Sequence, residues 1–230
     1  MCGRIAQYSS NSAYAEELGW DISADLAGQD ADNGPTYNAA PGTWPRMMHL
    51  FHEGRPRIDR VHWGYRPKWA AEKGIPMAIN ARIEKAASGR YFRHMWKSGR
   101  AIVPADGWYE WTGEAGKKQP WHIRLKTRRP MFMAAITNFN PSKEPSEGSG
   151  FVIVTAASDA GMVDVHDRRP VVLAPEDARL WLDPALPVEQ AEHLARSIAL
   201  PTEVFEWYQV GKEVNKTGNN EKHLIEPACA

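Results

Sequence analysis

Residues 100–111 read Arg-Ala-Ile-Val-Pro-Ala-Asp-Gly-Trp-Tyr-Glu-Trp, two apolar runs joined by an Asp-Gly pair. β-branched and aromatic residues favour strands, and Asp-Gly is a strong turn signal. The pattern continues through two more runs, so we predict strands at Ala101–Pro104, Trp108–Trp111, Trp121–Leu125 and Met131–Ile136. Many short strands with a few helices indicate an α+β domain with a largely antiparallel, barrel-like β-sheet core and a few flanking helices.

Further elements are predicted on both sides of this segment. Two strand-like runs separated by a short loop containing a glycine predict a hairpin over Arg46–Phe51 and Arg57–Trp63. Additional strands are expected at Phe151–Thr155, Pro170–Ala174 and Phe205–Val210. Helices are expected at Ser12–Leu18, Gly89–Lys97 with Ser88 as its cap, Pro175–Leu182 and Val188–Ile198. Residues 28–35 and 140–150 are rich in polar and turn-forming residues and are predicted loops.

Composition excludes several classes of protein. The chain has 230 residues, which predicts one domain over residues 1–230. Because 28 basic and 28 acidic residues give a formal charge of +0, a nucleic-acid site would have to be a local basic patch. No apolar run is long enough to span a bilayer and no secretory signal is visible, which predicts a cytoplasmic protein, associated with the nucleoid if bacterial. Since Cys2 and Cys229 are the only cysteines, a disulfide framework and a cysteine-rich zinc site are excluded.

The second residue is a cysteine, and its position matters if Met1 is removed. Cys2 would then present an α-amine and a thiol two carbons apart, which is a 1,2-aminothiol. The amine titrates near roughly 8 and the thiol near roughly 8.5, so both are partly nucleophilic at neutral pH. An aminothiol condenses with an aldehyde to an imine, and the thiol then closes the ring of a thiazolidine. The alternative is that Cys2 is a small residue of no chemical consequence.

Two titratable residues have neighbours that suit proton transfer. Glu110 lies between Tyr109 and Trp111, and burial among the rings would raise its pKa, whereas strand alternation would place it in solvent. His166 lies beside two acids and two arginines that would tune its protonation, although surface histidines have similar neighbours. The residues alone leave these alternatives open.

Other polar and aromatic residues suit contact with DNA. Asn80 and Arg82 share a face if their segment is extended, and an amide beside a guanidinium suits a phosphate or sugar oxygen. Asn38 precedes the Pro41-Gly42 turn, where an asparagine commonly bonds only its own backbone. The ten tryptophans, among them Trp69, are either buried core residues or platforms on which bases stack.

Six short motifs occur in an order that resembles one family. They are Met1-Cys2-Gly3-Arg4, Tyr37-Asn38-Ala39-Ala40-Pro41-Gly42, Trp63-Gly64-Tyr65, Asn80-Ala81-Arg82, Ala105-Asp106-Gly107-Trp108-Tyr109-Glu110-Trp111 and Val165-His166-Asp167-Arg168-Arg169-Pro170. This set resembles the ordered motifs of the SOS-response-associated peptidase (SRAP) family. Members of that family shield abasic sites in single-stranded DNA. The resemblance implies covalent capture of the ring-opened sugar as a thiazolidine by the N-terminal cysteine, after autocatalytic removal of the initiator methionine.

The resemblance also implies a role for each matching residue. Cys2 would be the nucleophile, Asn80 would hold and polarise the sugar, and Glu110 would move protons. His166 would bond the sugar hydroxyl and assist reversal or elimination, which is a weak lyase activity. The DNA path would be lined by Arg4, Asn38, Trp69, Arg82, Thr155 and Arg168. Because Ala70 follows Trp69 where several members have a second bulky aromatic, the wedge against a duplex is expected to be weaker here.

The expected partner is single-stranded DNA containing abasic sites, bound by a monomeric protein. No metal or organic cofactor is expected, because an imine forms with acid–base help alone. Two other functions fit parts of the sequence. One is a cysteine-dependent peptidase or amidase that uses Cys2, Glu110 and His166 on a separate substrate. The other is a noncatalytic single-stranded DNA-binding module that uses its tryptophans.

Overall fold

The computed structural model describes residues 2–21, 34–114, 117–144 and 146–228, which form two antiparallel-rich sheets and six α-helices. Most of the predicted loop at residues 28–35 lies outside these ranges, as do Met1 and Cys229. The α+β class and the largely antiparallel sheet are confirmed. Neither sheet closes within the described ranges, so the expectation of a barrel-like core holds only loosely.

The smaller sheet contains the beginning of the chain. Its strands are β1 (Ile5–Gln7), β2 (Thr36–Ala39), β7 (Gly107–Thr112), β8 (Gln119–Leu125) and β13 (Phe205–Gln209). They lie in the order β13-β8-β7-β1-β2, and each neighbouring pair is antiparallel. Because Ile5 lies opposite Trp108, the amino-terminal residues run alongside the strand that contains Glu110.

The larger sheet has eight strands, three of which carry predicted site residues. They are β3 (Arg46–His52), β4 (Arg55–Arg60), β5 (Asn80–Arg82), β6 (Arg100–Ala105), β9 (Met131–Thr137), β10 (Phe151–Ala157), β11 (Arg168–Pro170) and β12 (Val172–Leu173). Their main path is β11-β10-β9-β6-β3-β4, with β12 beside β9 and β5 beside β10. Strand β5 runs parallel to β10, which fixes Asn80 opposite Ile153.

The Asp106-Gly107 pair forms a corner between the two sheets. Strand β6 of the larger sheet passes through Asp106 directly into β7 of the smaller sheet. The buried Asp106 carboxylate accepts hydrogen bonds from the backbone N–H groups of Tyr8 and Ser9 (2.6 and 2.9 Å) and from the Tyr14 hydroxyl (2.6 Å). Asp106 therefore holds the segment that follows β1 against this corner.

Hydrophobic cores lie on both faces of the larger sheet, as neighbouring residues of β6 show. Val103 packs with Trp108 between the two sheets, whereas Ile102 packs with Trp181 on the opposite face. All four side chains are fully buried. A sheet covered on both faces has near-continuous apolar strands, which explains the uninterrupted apolar run of β9.

Three predicted helices are confirmed to within one residue at each end. The six described helices are α1 (Asn11–Leu18), α2 (Lys68–Glu72), α3 (Ile83–Ala86), α4 (Arg93–Ser98), α5 (Pro175–Leu182) and α6 (Val188–Ser197). In α1 the cap is Ser10, whose hydroxyl accepts the Ala13 N–H at 3.0 Å, and the helix ends at Gly19, which has a φ of 75°. None of these helices is long and apolar enough to cross a membrane.

The predicted helix at Gly89–Lys97 is wrong over its first half. The chain instead forms the short helices α3 and α4, with turns between them. A Cβ atom at Gly89 would lie 2.6 Å from the carbonyl oxygen of Lys85, so the chain makes a close approach that only glycine allows. Ser88 therefore lies in the turn between the helices and does not cap α4.

The remaining strand predictions are confirmed with altered ends. The hairpin turns at Glu53 and Gly54, whose φ angles of 53° and 75° suit a tight β-turn, but its second strand ends at Arg60. Trp63 instead forms an isolated bridge with Phe151. The predicted strand at Pro170–Ala174 is replaced by β11 and β12, which lie on either side of Val171.

Candidate active site

Cys2 lies in the core between the two sheets, next to Glu110. Its side chain is fully buried and packs with Ile5 and Trp108. The backbone N–H of Tyr109 donates to the Arg4 carbonyl at 3.0 Å, which continues the β1–β7 pairing toward the amino terminus. Burial raises the pKa of the Cys2 thiol far above its usual value, and the negative charge of Glu110 raises it further. The sulfur is therefore held as a neutral thiol at neutral pH.

Asn80 binds the backbone of Cys2 from the larger sheet. Its Nδ2 donates to the Cys2 carbonyl oxygen at 2.8 Å. The Asn80 Oδ1 atom is buried, and no group within the described ranges donates to it. Because a buried acceptor without a donor is costly, this oxygen is suited to accept a hydrogen bond from a substrate or from a newly freed amine.

Glu110 is a buried carboxyl in the second half of β7. Only 3% of the residue is exposed, so the alternative that strand alternation places it in solvent is wrong. Burial raises the pKa of Glu110 from 4.5 to about 7. At neutral pH the carboxyl is therefore present in both its protonated and its ionised form, as a group that donates and accepts protons requires.

His166 reaches the same carboxyl from the segment that precedes β11. Its Nε2 lies 4.0 Å from Glu110 Oε2, and the side chain is 26% exposed. Two groups compete for its Nδ1: the backbone N–H of Arg168 at 3.0 Å and the exposed carboxylate of Asp167 at 2.8 Å. Burial lowers the pKa of His166, which favours a neutral ring. We therefore assign Nδ1 as the acceptor of the Arg168 N–H, which leaves the proton on Nε2, facing Glu110.

The four predicted catalytic residues thus belong to one cluster. Cys2 contacts Asn80 directly, Glu110 influences the Cys2 thiol by its charge, and His166 faces Glu110. They come from the amino terminus, β5, β7 and the loop before β11. Because burial and neighbouring charges shift three pKa values within this cluster, it is the best candidate for an active site within the described ranges.

Two of the predicted DNA-binding residues, Arg4 and Asn38, are bound to each other. Arg4 Nη1 donates to Asn38 Oδ1 at 2.6 Å and to the Val214 carbonyl at 2.7 Å. Asn38 Nδ2 donates to the carbonyls of Lys216 and Asn219 at 3.1 and 2.9 Å. The expectation that Asn38 bonds only its own backbone is wrong, because it ties β2 to the carboxy-terminal segment. Contact between these two residues and DNA stays a prediction.

Two others, Thr155 and Arg168, also have interior partners. Arg168 makes a two-pronged ion pair with Glu84, with N–O distances of 2.6 and 3.0 Å, and donates to the Thr155 carbonyl at 2.7 Å. The Thr155 side chain is fully buried. In contrast, Arg82 at the end of β5 is exposed and lies in register with Thr155. Of these three residues, Arg82 presents the most accessible side chain to a ligand.

Trp69 is exposed and lies beside cations. It is 37% exposed, and its ring lies near Lys73 and Arg90, at 6.0 and 5.7 Å from their charged groups. Tyr91 contacts the ring edge at a centroid distance of 5.5 Å. Ala70, in contrast, is fully buried, so this face of α2 presents one aromatic side chain where the resemblance led us to consider two.

Sequence reasoning missed one group of residues around the site. A cavity beside the amino terminus is lined by Arg4, Trp111, Lys118 and Lys212, of which the two lysines were not singled out. The adjacent lysines at positions 117 and 118 were a signal for such a patch, but nothing in the sequence placed Lys212 beside them. Within the described ranges, no group of three or more His, Cys, Asp or Glu side chains could hold a metal ion.

This fold and site define a protein with a buried cysteine at residue 2, a buried carboxyl whose pKa is raised to about 7 and a facing histidine, brought together by two sheets. A model of the SOS response associated peptidase (SRAP) family matches residues 1–217 of the chain. The chain belongs to that family, which confirms the family resemblance of its motifs.

Named relatives are similar over nearly the whole chain. The abasic site processing protein YedK of Escherichia coli strain K12 is 42% identical over 227 residues, covering 99% of this chain and 100% of its own. The abasic site processing protein HMCES of Xenopus tropicalis is 26% identical over 260 residues, covering 96% of this chain and 76% of its own. A phage-related protein of Bordetella bronchiseptica, solved by crystallography, is 40% identical with a TM-score of 0.77, covering 91% of this chain and 94% of its own.

Proposed function

We propose that this protein processes abasic sites in single-stranded DNA by forming a covalent thiazolidine between the sugar aldehyde and Cys2, after Met1 has been removed. The observation that carries the proposal is the buried contact between Cys2 and Asn80 beside a carboxyl whose pKa is raised to about 7. Relatives that share this chain's full length are named abasic site processing proteins, which supports the same conclusion.

The first reaction is removal of Met1 by the protein itself. While the Met1–Cys2 peptide bond is intact, the Cys2 nitrogen is an amide and does not attack an aldehyde. Water adds to the Met1 carbonyl, the C–N bond breaks, and the released nitrogen gains a proton. In this proposal Glu110 takes a proton from the water and returns it to the leaving nitrogen, a task that its pKa of about 7 suits.

Capture of the sugar then proceeds in two bond-forming steps. The Cys2 amine adds to the aldehyde carbon of the ring-opened sugar, and loss of one water gives an imine. The Cys2 sulfur adds to the imine carbon while its proton passes to the nitrogen, which closes the thiazolidine. Protonated Glu110 assists departure of the hydroxyl, and ionised Glu110 accepts the proton from the high-pKa thiol, so both forms of one carboxyl are used.

Asn80 and His166 position the sugar around these steps. Asn80 Nδ2 fixes the Cys2 backbone, while its buried Oδ1 accepts a hydrogen bond from the Cys2 amine or from the sugar. The Nε2–H of His166 is directed to the carboxyl and bonds the sugar hydroxyl beside it. The same histidine assists reversal of the adduct, and β-elimination from the imine accounts for a weak lyase activity.

The DNA path and the state of the protein are part of this proposal. Exposed Arg82 and Trp69 supply a phosphate contact and a stacking surface, and Arg4, which is buried and held by Asn38 and Val214, adds positive charge to the path near Cys2. The protein acts as a monomer in the cytoplasm, at the nucleoid if the source is a bacterium. A platform made of many tryptophans is less well supported, because Trp63, Trp96, Trp108 and Trp181 are fully buried.

A denaturing gel tests the proposed chemistry. Wild-type protein mixed with a single-stranded oligonucleotide containing one abasic site is expected to give a slowly migrating band that survives denaturation. Cys2→Ala removes the thiol and is expected to abolish this band, whereas Cys229→Ala, the matched change at the other cysteine, is expected to retain it. No band from the wild type, or an undiminished band from Cys2→Ala, would overturn the proposal.

A further inference from the structure

A basic cavity lies directly beside the reacting cysteine. Its volume is about 410 Å³, and Gly3, the neighbour of Cys2, forms part of its wall. Four of its described lining residues are cations: Arg4, Lys117, Lys118 and Lys212. None of the described lining residues is an acid, so the cavity concentrates positive charge in a chain whose formal charge is +0. Such a concentration of charge suits an anionic ligand.

One wall of the cavity is held by specific contacts. Trp111 Nε1 donates to Asn215 Oδ1 at 2.6 Å, which ties β7 to the turn that carries Lys212. The Arg4 guanidinium lies 5.6 Å from the Trp111 ring, and its Nε atom is buried with no acceptor in the described part of the chain. These contacts hold an aromatic surface and cationic groups on one wall of the cavity.

The position of the cavity indicates which part of a DNA strand it would contact. Gly3, which follows Cys2, lines the cavity, so the cavity begins one residue from the reacting cysteine. The Trp111 ring packs with Tyr109 on the opposite face of β7 from Glu110, so the cavity adjoins the site through the amino-terminal segment. Burial raises the pKa of Glu110 and the positive charge of Lys118 opposes this rise, which indicates that Lys118 acts across the same site. In a DNA strand, the group adjoining the sugar is a phosphodiester.

We propose that this cavity is a subsite for the phosphodiester group adjacent to the abasic sugar, with Lys118 and Lys212 as its binding residues. The inference rests on the proposed function, since it takes the sugar to be bound at Cys2. Flexible lysines bind phosphate as point charges, and each ion pair with DNA releases counterions. Lys118 and Lys212 are exposed and so able to reach a strand, whereas Arg4 is already held by Asn38 and Val214.

A DNA probe that binds without reacting separates the contribution of this subsite from that of the covalent reaction. The probe is a single-stranded oligonucleotide that carries a tetrahydrofuran abasic analogue, which has no aldehyde. Lys118→Gln and Lys212→Gln are each expected to weaken binding several-fold and to reduce the slope of log affinity against log salt by about 0.7. Lys97→Gln, an exposed lysine on α4 outside the cavity, is the matched control and is expected to change neither quantity. Unchanged affinity and slope in both cavity variants would overturn the proposal.

Replacing single phosphates of the DNA locates the phosphate that Lys118 contacts. A neutral methylphosphonate is placed at the phosphate on the 5′ or the 3′ side of the abasic site, and the rate of crosslinking is measured for each protein. The loss caused by Lys118→Gln is expected to disappear when the adjacent phosphate is already neutral, because both changes remove the same ion pair. Additive losses at both phosphates would contradict a local subsite.

Two further outcomes keep this inference separate from the proposed function. If wild type forms no crosslink yet binds the tetrahydrofuran probe through Lys118 and Lys212, the chemistry fails and the subsite survives. If wild type forms the crosslink but the lysine variants match it in rate and in binding, only the subsite fails. If inorganic phosphate displaces the tetrahydrofuran probe while sodium chloride of equal ionic strength does not, the cavity is a site for free phosphate, which would contradict a DNA subsite.

Discussion

At the scale of single residues, the local environment shifts the pKa values of Cys2, Glu110 and His166. The same burial that keeps the Cys2 thiol neutral raises the pKa of Glu110 to about 7, so the carboxyl is the group able to exchange protons at neutral pH. Burial lowers the pKa of His166, which makes this ring a neutral hydrogen-bond donor. These environments support the proposal that Glu110 transfers protons and that His166 orients the sugar.

The pH dependence of crosslinking follows from the raised pKa of Glu110. The carboxyl donates its proton below about 7 and loses this ability as the pH rises through that value. The Cys2 amine gains nucleophilicity as the pH rises toward roughly 8. A bell-shaped rate profile is therefore expected, with a falling limb that belongs to Glu110.

Glu110→Gln is expected to slow crosslinking by about 100-fold or more and to remove the falling limb of the profile. Glu114→Gln, which changes an exposed acid two residues beyond β7, is expected to leave rate and profile unchanged. Single-turnover rates measured by gel between pH 5 and 9 give the profile. A falling limb that persists in Glu110→Gln would show that another group supplies the proton.

Asn80 offers a second test at this scale. Asn80→Ala removes both the 2.8 Å bond to the Cys2 carbonyl and the buried Oδ1 acceptor, and is expected to slow crosslinking by about 10-fold or more. Asn140→Ala, at an exposed loop asparagine that bonds only its own turn, is expected to have no effect. Equal rates for Asn80→Ala and wild type, measured by the same gel, would remove Asn80 from the mechanism.

At the scale of elements, the position of Glu110 depends on how closely β7 and β8 approach. Gly107 begins β7, and a Cβ atom there would lie 2.2 Å from Nε2 of His122 on β8 and 3.0 Å from the Ile123 carbonyl. His122 is fully buried, so it has little room to move away. Gly107 is thus a packing requirement of the strand pair that carries the carboxyl.

Gly107→Ala is expected to lower the free energy of unfolding by about 1–3 kcal/mol, because overpacking forces the strands apart. The same shift would move Glu110, so crosslinking is also expected to slow. Gly218→Ala is the matched control, since a Cβ at Gly218 meets nothing within 4 Å. Urea unfolding of the three proteins measures the change, and equal stability of Gly107→Ala and wild type would contradict this account of the packing.

Local sequence patterns predicted most of the helices and strands, and the errors arise from close approaches and strand pairings that no such pattern encodes. Helix α5 was predictable because Pro175 begins it and an apolar face follows. The break between α3 and α4 was not, because it depends on the approach of Gly89 to the Lys85 carbonyl. An extended Asn80 segment was only a condition of the sequence argument, and its parallel pairing with β10, about 70 residues away, depends on topology that no local pattern encodes.

At the scale of the whole molecule, the site exists only because the fold brings together distant parts of the chain. Cys2, Asn80, Glu110 and His166 could be named from their motifs, but their contacts could not be derived from sequence spacing. The predicted DNA path was least accessible to sequence reasoning. Asn38 and Arg168 carry the expected residue types, yet their partners are a carboxy-terminal turn and the side chain of Glu84.

The distribution of charge over the surface is likewise a property that only the folded molecule reveals. The formal charge of +0 led us to expect that any nucleic-acid site would be local, and the cavity beside Gly3 is a local concentration of cations. Lys118 and Lys212 are 94 residues apart in sequence, as 212 − 118 shows, and meet because β7, β8 and the carboxy-terminal turn pack together. No window of the sequence contains both.

The intact mass of the purified covalent adduct tests the central claim most directly. The predicted mass is that of the chain without Met1 plus the abasic oligonucleotide minus one water, and borohydride is expected to leave a completed thiazolidine unreduced. An adduct that retains Met1 would contradict the mechanism at its first step, because the Cys2 nitrogen would then still be an amide. Complete trapping by borohydride would show that the bond to DNA is an imine and not a thiazolidine.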